Sequence, residues 1–266
     1  MAIYVTGDIH AKPERLSGNT FIRGKELTKD DYVIICGDFG LVWNKDTESR
    51  YENYWLEWLD NKPWTTLFLD GNHENFDRLL DFNNYPCEMW NGGIVQRIRP
   101  SVIHLMRGEI YNLQGLKFFV FGGNYSHDIS DGILEIGDPR IKIWQKDYSK
   151  LFRVNHLSWW KQEVPNDLER DNAIRNLSLV NNKVDFILTH ALPSSDICLI
   201  DKFLAQPNEF EVWLEENIRA KVDYVGWISG HYHIDKAASY KDLCIYERIL
   251  QILFQSYSAL LLTVTN

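Results

Sequence analysis

The sequence predicts an α/β fold in which two mixed β-sheets stack face to face and helices cover the outside, a four-layer α-β-β-α sandwich. Three observations predict it. Short β-branched and aromatic runs alternate with helical segments, these runs end in Gly, Asp, Asn or His, and residues 92–123 alternate apolar and polar side chains between Gly and Pro breaks, as β-hairpins do. No linker, repeat or low-complexity segment interrupts the chain, so we expect one domain over residues 1–266.

Five of the apolar runs are short and nearly continuous, which is typical of strands buried on both faces of a sheet. They lie at 2–10, 31–40, 65–74, 184–193 and 223–233. Open α/β sheets form their ligand crevice at the carboxyl ends of the strands. We therefore expect the polar residues that end these five runs to meet at one site.

Three segments between the strands are expected to be helices, and they are 47–61, 165–182 and 208–221. In the first, four aromatic residues fall on one stripe, the signal of an amphipathic helix: Tyr51, Tyr54, Trp55 and Trp58. The apolar chain end, 254–266, fits no element. A final strand and a contact between subunits both remain open for it.

Composition excludes several classes of protein. The chain has 266 residues, of which 45% are hydrophobic and 14% aromatic, enough for a well-filled core and unlike a disordered protein. Lys and Arg total 28 against 37 Asp and Glu, a formal charge of −9. This balance gives no electrostatic footprint for nucleic acid or an anionic membrane, although a local cationic site can lie within an acidic protein.

The cysteines and the chain start indicate the compartment. Four cysteines lie far apart without a CxxC pair, so we expect buried free thiols and no disulfide framework or structural zinc: Cys36, Cys87, Cys198 and Cys244. The opening "MAIYVTGDIH" runs directly into a strand without the features of a signal peptide, and no apolar run reaches the roughly 18 residues of a membrane span. We expect a soluble cytoplasmic protein.

Side chains able to bind a metal lie at all five strand ends, and they are Asp8, His10, Asp38, Asn72, His73, His190, His231 and His233. Each of them alone is equally at home in a turn, a helix cap or the edge of a core. Together they include five of the eight histidines of the chain. Two of these, His231 and His233, point the same way from an extended segment. The set therefore predicts a metal site.

The chemistry of this set suits two divalent cations. Neutral imidazoles and carboxylates give mixed nitrogen and oxygen ligation, which fits Mn, Fe, Zn or similar ions without selecting one of them. The amide of Asn72 adds an oxygen ligand without adding charge. A carboxylate has two oxygens and can bridge ions about 3.5–4 Å apart, the spacing of hydrolytic two-metal sites.

Five short motifs carry a resemblance to a known family. "GDIH", "GDFG", "GNHE", "TH" and "GHYH" occur in that order between residues 3 and 236. They resemble the pattern of the calcineurin-like metallophosphoesterase superfamily. The stretches "GDFGLVW", "FGGNYSHD" (121–128) and "WWKQEVP" (159–165) further resemble small bacterial and phage-type members of it.

The resemblance implies a role for each residue. One metal would be held by Asp8, His10, Asp38 and His233, and the other by Asp38, Asn72, His190 and His231. Asp38 would bridge the two ions. A hydroxide between the metals would attack phosphorus in line, without a phosphoryl-enzyme intermediate. His73 would bind no metal but would face the substrate, where it protonates the leaving oxygen or stabilises developing charge.

The sequence also departs from the superfamily. Its phosphoprotein phosphatases carry "GDxVDRG" and "RGNHE", whereas this chain has "GDFGLVW" and "DGNHE". The aspartate that partners the catalytic histidine and two phosphate-binding arginines are therefore missing, which argues against a serine/threonine phosphatase of that type. Four residues are candidates for the lost substrate contacts, or else belong to a solvated helix face and a polar loop: Arg78, Asn124, His127 and Asp128.

We expect a metal-dependent phosphohydrolase that acts on a small phosphomonoester or phosphodiester. The alternative enzyme is a metal-dependent nuclease, which is disfavoured because the longest basic run is "RIR" (97–99). A non-catalytic interaction scaffold is the other alternative, and it is disfavoured because every candidate ligand is present. No membrane partner is expected. The natural substrate and the oligomeric state remain open.

Overall fold

The structure is a computed structural model that describes residues 1–201, 206–255 and 259–264. The strands of this part of the chain, numbered in order, are β1 (Ile3–Thr6), β2 (Tyr32–Cys36), β3 (Thr65–Leu69), β4 (Cys87–Trp90), β5 (Gly93–Arg99), β6 (Val102–Leu105), β7 (Glu109–Leu113), β8 (Leu116–Phe121), β9 (Gly132–Leu134), β10 (Phe152–Val154), β11 (Phe186–Thr189), β12 (Gly226–Ser229), β13 (Lys236–Ala237), β14 (Asp242–Cys244), β15 (Ile249–Gln255) and β16 (Ala259–Val264).

The α-helices of the described residues are α1 (Arg50–Asp60), α2 (Phe76–Leu79), α3 (Arg140–Trp144), α4 (Asp167–Leu179), α5 (Ser194–Ile200) and α6 (Glu209–Leu214). Helix α6 continues into one π-helical turn, Glu215–Arg219. Short 3₁₀ turns lie at Pro13–Leu16, Ile22–Glu26 and Lys161–Glu163. Among the described residues, no helix combines the length and apolar character needed to cross a membrane.

Two large mixed sheets form the centre of the molecule. The first has the strand order β16-β15-β1-β2-β3-β6-β5-β4, and its neighbours β1, β2, β3 and β6 are parallel. The second has the order β13-β14-β12-β11-β8-β7, in which β14, β12, β11 and β8 are parallel. A separate parallel pair joins β9 and β10. The predicted α/β fold with two mixed sheets is confirmed.

Alternate side chains of the central strands face two different cores. In β2, Ile34 and Cys36 belong to the core between the two sheets, whereas Val33 and Ile35 belong to the core beneath helix α1. The second sheet repeats this arrangement, with Ile187 in the core beneath α4 and α6. Because both faces of these central strands are buried, they lack a polar face, which explains their nearly continuous apolar sequences.

The three expected helices form, and each is somewhat shorter than its sequence segment. Each begins with a capping box, in which an Asn or Ser side chain and a Glu three residues later satisfy free backbone N–H groups. The expected β-structure of residues 92–123 is confirmed by β5 to β8, in which β5 pairs with β6 and β7 with β8 in antiparallel fashion.

The aromatic stripe of α1 is not the face that the helix buries. Leu56 and Leu59 are fully buried, whereas Tyr51 and Tyr54 are 50% and 60% exposed. The stripe instead forms a partly exposed aromatic cluster, with the ring of Trp55 5.0 Å from that of Tyr54. The stripe signal identified the helix but not its orientation, because the smaller leucines pack closely against the sheet.

Part of the apolar chain end forms a strand. Of the segment 254–266, residues 259–264 form β16, which pairs antiparallel with β15 at the edge of the first sheet. Residues 256–258 and 265–266 lie outside the described residues.

All four cysteines are free. Cys36 and Cys244 are buried as expected, but Cys87 and Cys198 are exposed, so the expectation of buried thiols is wrong for these two.

Helix α1 provides a test of which face carries its stability. Leu56→Ala removes a fully buried side chain and should lower the free energy of unfolding by about 2–5 kcal/mol. Tyr54→Ala, on the exposed stripe, should cost roughly 0.5 kcal/mol. Urea denaturation measures both, and Leu168→Ala on the exposed face of α4 is the matched control. Equal costs for Leu56→Ala and Tyr54→Ala would contradict the observed orientation.

Candidate metal centre

The predicted site residues of all five strand ends come together at one place. Three of these strands, β1, β2 and β3, are neighbours in the first sheet, and β11 and β12 are neighbours in the second. The loops that leave them supply Asp8, His10, Asp38, Asn72, His73, His190, His231 and His233. The site therefore lies where the carboxyl ends of parallel strands from both sheets converge.

The first group of side chains contains Asp8, His10, Asp38 and His233. Their ligand atoms all lie within 4.8 Å of one another. The Nε2 atoms of His10 and His233 are 2.8 Å apart. The Oδ2 atom of Asp8 lies 3.8 Å from the first of these nitrogens and 3.2 Å from the second. These four residues are the ones that the resemblance places around one metal.

The second group is arranged around His190. Its Nε2 atom lies 3.4 Å from Oδ1 of Asp38, 3.1 Å from Oδ1 of Asn72 and 3.2 Å from Nδ1 of His231. Around a tetrahedral ion with bonds of about 2.1 Å, neighbouring ligand atoms lie about 3.4 Å apart. The three separations measured from His190 are close to that value.

Glycines before the strand ends make room for these side chains. A Cβ atom on Gly71 would lie 2.0 Å from Oδ1 of Asp38, and one on Gly230 would lie 2.1 Å from Oδ1 of Asp8. Neither glycine needs a left-handed backbone. Each lets a carboxylate from another strand end approach the main chain, so the Gly of "GNHE" is required by the contact with Asp38.

Backbone donors hold both carboxylates in place. The N–H of His73 donates to Oδ1 of Asp38 over 2.8 Å, and the N–H of His231 donates to Oδ1 of Asp8 over 2.9 Å. The buried Glu74 accepts from the backbone N–H groups of Phe39 and Gly40 over 2.7 and 3.1 Å, which fixes the loop that carries Asp38. Sequence analysis quoted Glu74 within "GNHE" but gave it no role.

Backbone strain is concentrated at the site. His10, Asp38, His231 and His233 have φ angles of 44°, 44°, 71° and 52°, in the left-handed region that residues other than glycine rarely adopt. The extended segment expected for His231 and His233 is therefore wrong. Such strain costs on the order of 1–3 kcal/mol per residue and persists where the surrounding structure enforces it. Its presence at four candidate ligands indicates that these loops adopt an unfavourable backbone conformation in order to place the side chains.

The residues present fit a metal. Oδ2 of Asp8 is buried without a hydrogen-bond partner, which is costly for a carboxylate oxygen. Two imidazole nitrogens, those of His10 and His233, approach each other within 2.8 Å beside it. A cation among these atoms would satisfy the orphaned oxygen and both nitrogens.

The charge states also suit ligation. Burial lowers the pKa of His10, against the opposing effect of Asp38, and burial together with His190 lowers the pKa of His231 far below its ordinary value. Burial acts to raise the pKa of Asp8, but the charge of His190, the proximity of His233 and the backbone N–H of His231 hold it below its ordinary value. Neutral imidazoles and an ionised carboxylate are the forms that bind metal.

His73 lies beside the first group. Its ring centroid is 5.5 Å from that of His10 and 6.4 Å from that of Trp43. Burial lowers the pKa of His73, and the Asp38 carboxylate opposes this. The backbone of His73 thus binds Asp38 while its side chain is free to face another molecule.

Two of the four candidate substrate contacts are engaged in holding the fold together. The Arg78 guanidinium binds the buried Glu52 carboxylate over 2.8 Å and the carbonyl of Asn44 over 2.9 Å. The amide of Asn124 is fully buried, donating to Glu211 and accepting from Asn208. The structure does not bring these two into the cluster, because buried polar groups on neighbouring helices require them as partners.

Of the other two candidates, His127 reaches the cluster. The ring of His127 lies 4.6 Å from that of His231, and Asp128, the next residue, binds Arg153. Ser126 adds a contact that sequence analysis missed. Its hydroxyl accepts from the Asn72 amide over 3.2 Å and donates to the buried Glu163 over 2.7 Å.

The basic segment 140–153 was also not recognised from the sequence. Five of its residues are Lys or Arg, and these are Arg140, Lys142, Lys146, Lys150 and Arg153. Neighbouring aspartates pair with three of them: Arg140 with Asp138, Lys150 with Asp131 and Arg153 with Asp128. A count of charge over this segment, rather than of consecutive basic residues, would have found it.

An α/β sandwich with a histidine and carboxylate cluster at its strand ends defines a metal-dependent hydrolase. Residues 1–235 match the calcineurin-like phosphoesterase family, and the chain belongs to that family. Its members use two divalent metals, and the cluster described above is able to hold a metal. The family assignment supports metal-dependent phosphoester hydrolysis by this chain.

Two curated proteins are similar to this chain over most of its length. Lariat debranching enzyme A of Xenopus laevis is 23% identical over 264 residues, which cover 90% of this chain and 44% of that protein. A lariat debranching enzyme of Danio rerio is 21% identical over 262 residues, which cover 90% of this chain and 41% of that protein. The chain therefore spans less than half the length of these relatives.

The close approach at Gly71 leads to a testable prediction. Gly71→Ala places a methyl group against the Asp38 carboxylate and should displace it, so that affinity for Mn²⁺ falls by about tenfold or more. Isothermal titration calorimetry measures this. Gly18→Ala is the matched control, because its new methyl group would meet only the flexible end of Lys25. Unchanged Mn²⁺ binding in Gly71→Ala would show that the contact does not constrain the site.

Proposed function

We propose that this protein is a phosphohydrolase with a dinuclear metal site. The observation that carries the proposal is the pair of ligand groups that share Asp38, whose Oδ2 lies 3.8 Å from His10 Nε2 and whose Oδ1 lies 3.4 Å from His190 Nε2. We assign Asp8, His10, Asp38 and His233 to one cation, and Asp38, Asn72, His190 and His231 to the other. Since both sheets contribute ligands, we propose that one domain carries the whole site.

The metals and the residues around them have different roles in the proposed reaction. When bound, the two cations lower the pKa of bound water toward neutrality and neutralise charge on the phosphoryl oxygens. Asp38 keeps the two ligand groups at a constant separation, because the His73 N–H and the Gly71 main chain hold its carboxylate. The buried walls of the site strengthen its electrostatic interactions by excluding water.

We assign His73 as the residue that assists the leaving group. Its ring lies beside His10, and its main-chain N–H is tied to Asp38, so it is held next to the reacting phosphorus without being a ligand. Burial favours its neutral form, whereas the anionic charge of a bound phosphoester acts with Asp38 to favour protonation. The imidazolium that results can donate its proton to the departing oxygen.

Two substrate classes are compared. A small phosphomonoester or phosphodiester is our first candidate, because the formal charge of −9 gives the chain as a whole no affinity for polyanions. A nucleic-acid phosphodiester is the second. It is favoured by the similarity to lariat debranching enzymes and by the five basic residues between 140 and 153.

The function is tested by hydrolysis after chelator treatment and addition of Mn²⁺. The substrates are p-nitrophenyl phosphate, bis-p-nitrophenyl phosphate, a panel of cyclic nucleotides, single-stranded DNA and a lariat RNA. We expect turnover that depends on metal, and the preferred substrate distinguishes monoesterase, diesterase and nuclease. Bound metal without turnover on any of these substrates would favour the scaffold alternative.

Two variants test the assigned roles. Asp38→Asn should abolish turnover and weaken binding of both cations, whereas His73→Ala should retain metal and lower kcat by about 10²–10⁴-fold. Asp46→Asn, which changes an exposed acid in the loop after β2, is the matched control and should keep wild-type activity. Wild-type rates for His73→Ala on every substrate would refute its catalytic role.

A further inference from the structure

The segment between β8 and α4, residues 122–166, is held against the site; we refer to it as the insert. His156 Nδ1 and Trp160 Nε1 both lie 2.7 Å from Oδ2 of Asp77 in α2, the helix that follows "GNHE". The ring of Trp160 lies 5.5 Å from that of Trp43, which in turn lies beside His73. The insert is therefore fixed next to the residue assigned to the leaving group.

Strand β10 of the insert carries Arg153, which forms a two-pronged ion pair with Asp128. Its Nε donates to Oδ1 of Asp128 over 3.0 Å, and its Nη2 donates to Oδ2. The side chains are 21% and 40% exposed, so the pair is open to solvent on one side. Asp128 directly follows His127, whose ring lies 4.6 Å from that of His231, so the ion pair adjoins the residue of the insert that reaches the cluster.

The charge of Arg153 is felt by its partner. Hydrogen bonds and charge from Arg153 lower the pKa of Asp128, against the opposing effect of burial. Asp128 is therefore ionised beside the guanidinium, and the two side chains form one ion pair.

The other arginines described near the cluster donate to the protein itself. Arg15 donates to the backbone carbonyls of Asp8 and Tyr246, behind the ligand loops. Arg78 donates to Glu52 and Asn44. Arg153 differs because its partner is a carboxylate that is 40% exposed, so the ion pair is accessible to a dissolved anion.

We propose that Arg153 binds a non-bridging oxygen of the substrate phosphate. Asp128 is a positioning residue that holds the guanidinium toward the metal centre before substrate arrives. Arginine suits this task because its planar fork binds phosphoryl oxygens with two hydrogen bonds, whereas lysine offers a point charge. The inference rests on the proposed function and adds to it the group that recognises the anion.

The variant Arg153→Gln tests this role. We expect KM for p-nitrophenyl phosphate and the inhibition constant of inorganic phosphate to rise by about tenfold or more, because a charged hydrogen-bonding group is lost. Arg153→Lys should recover part of this loss. Arg140→Gln is the matched control, since Arg140 makes a similar pair with Asp138 elsewhere in the insert.

Asp128→Asn separates positioning from binding. It leaves Arg153 charged but removes the carboxylate that orients it, so we expect a smaller rise in the inhibition constant of phosphate. The double variant Arg153→Gln/Asp128→Asn should be no worse than Arg153→Gln alone, because the aspartate acts through the arginine. Additive losses would contradict this coupling.

A different result is expected if the ion pair of Arg153 and Asp128 only stabilises the fold. If Arg153→Gln changes phosphate inhibition no more than Arg140→Gln does, at equal melting temperature, the proposal is wrong. If Arg153→Gln lowers the melting temperature, Arg153→Lys decides, because it keeps the ion pair but should still weaken phosphate binding.

A failure of the proposed function would be recognised separately. If the wild-type protein hydrolyses no ester, calorimetric titration of the Mn²⁺-loaded protein with inorganic phosphate still tests Arg153. Binding that is weaker in Arg153→Gln than in Arg140→Gln supports the anion site without catalysis. Equal or absent binding in the wild-type protein and both variants overturns it.

Discussion

The shared position of Asp38 is the constraint on which the rest of the site depends. Its carboxylate faces both ligand groups, accepts the backbone N–H of His73, and lies against a main chain that only glycine leaves open. Its own backbone is left-handed, and Glu74 holds the following residues in place. A shift of this one side chain would therefore disturb both groups and His73 together.

The two sheets and the insert both help to position the residues around Asp38. Parallel strands of both sheets end at the same place, so loops that are distant in sequence supply the ligands. The insert reaches the site separately. Through Ser126, Glu163 orients the Asn72 amide, and burial raises the pKa of Glu163 to about 7. Such outer contacts orient metal ligands and tune their properties.

Sequence reasoning succeeded where function depends on neighbours along the chain. A strand end followed by Asp, Asn or His, in four of five cases after a Gly, is a local pattern, and it pointed to the candidate ligands of the cluster. It failed where packing decides. The aromatic stripe of α1 faces partly outward because Leu56 and Leu59 fill the core, and Arg78 is engaged by Glu52 because that buried carboxylate requires a cation.

By itself, the sequence determined the fold class, the family resemblance and the candidates for metal binding, since each of these depends on short-range pattern and residue type. Only the tertiary structure decided that two groups share Asp38 and that Arg153 pairs with Asp128, next to the histidine whose ring lies near His231. The physical reason is that electrostatic interactions depend on distance in space and not on distance along the chain. Arg153 belongs to an insert far from "GNHE" in the sequence, and no local pattern links the two.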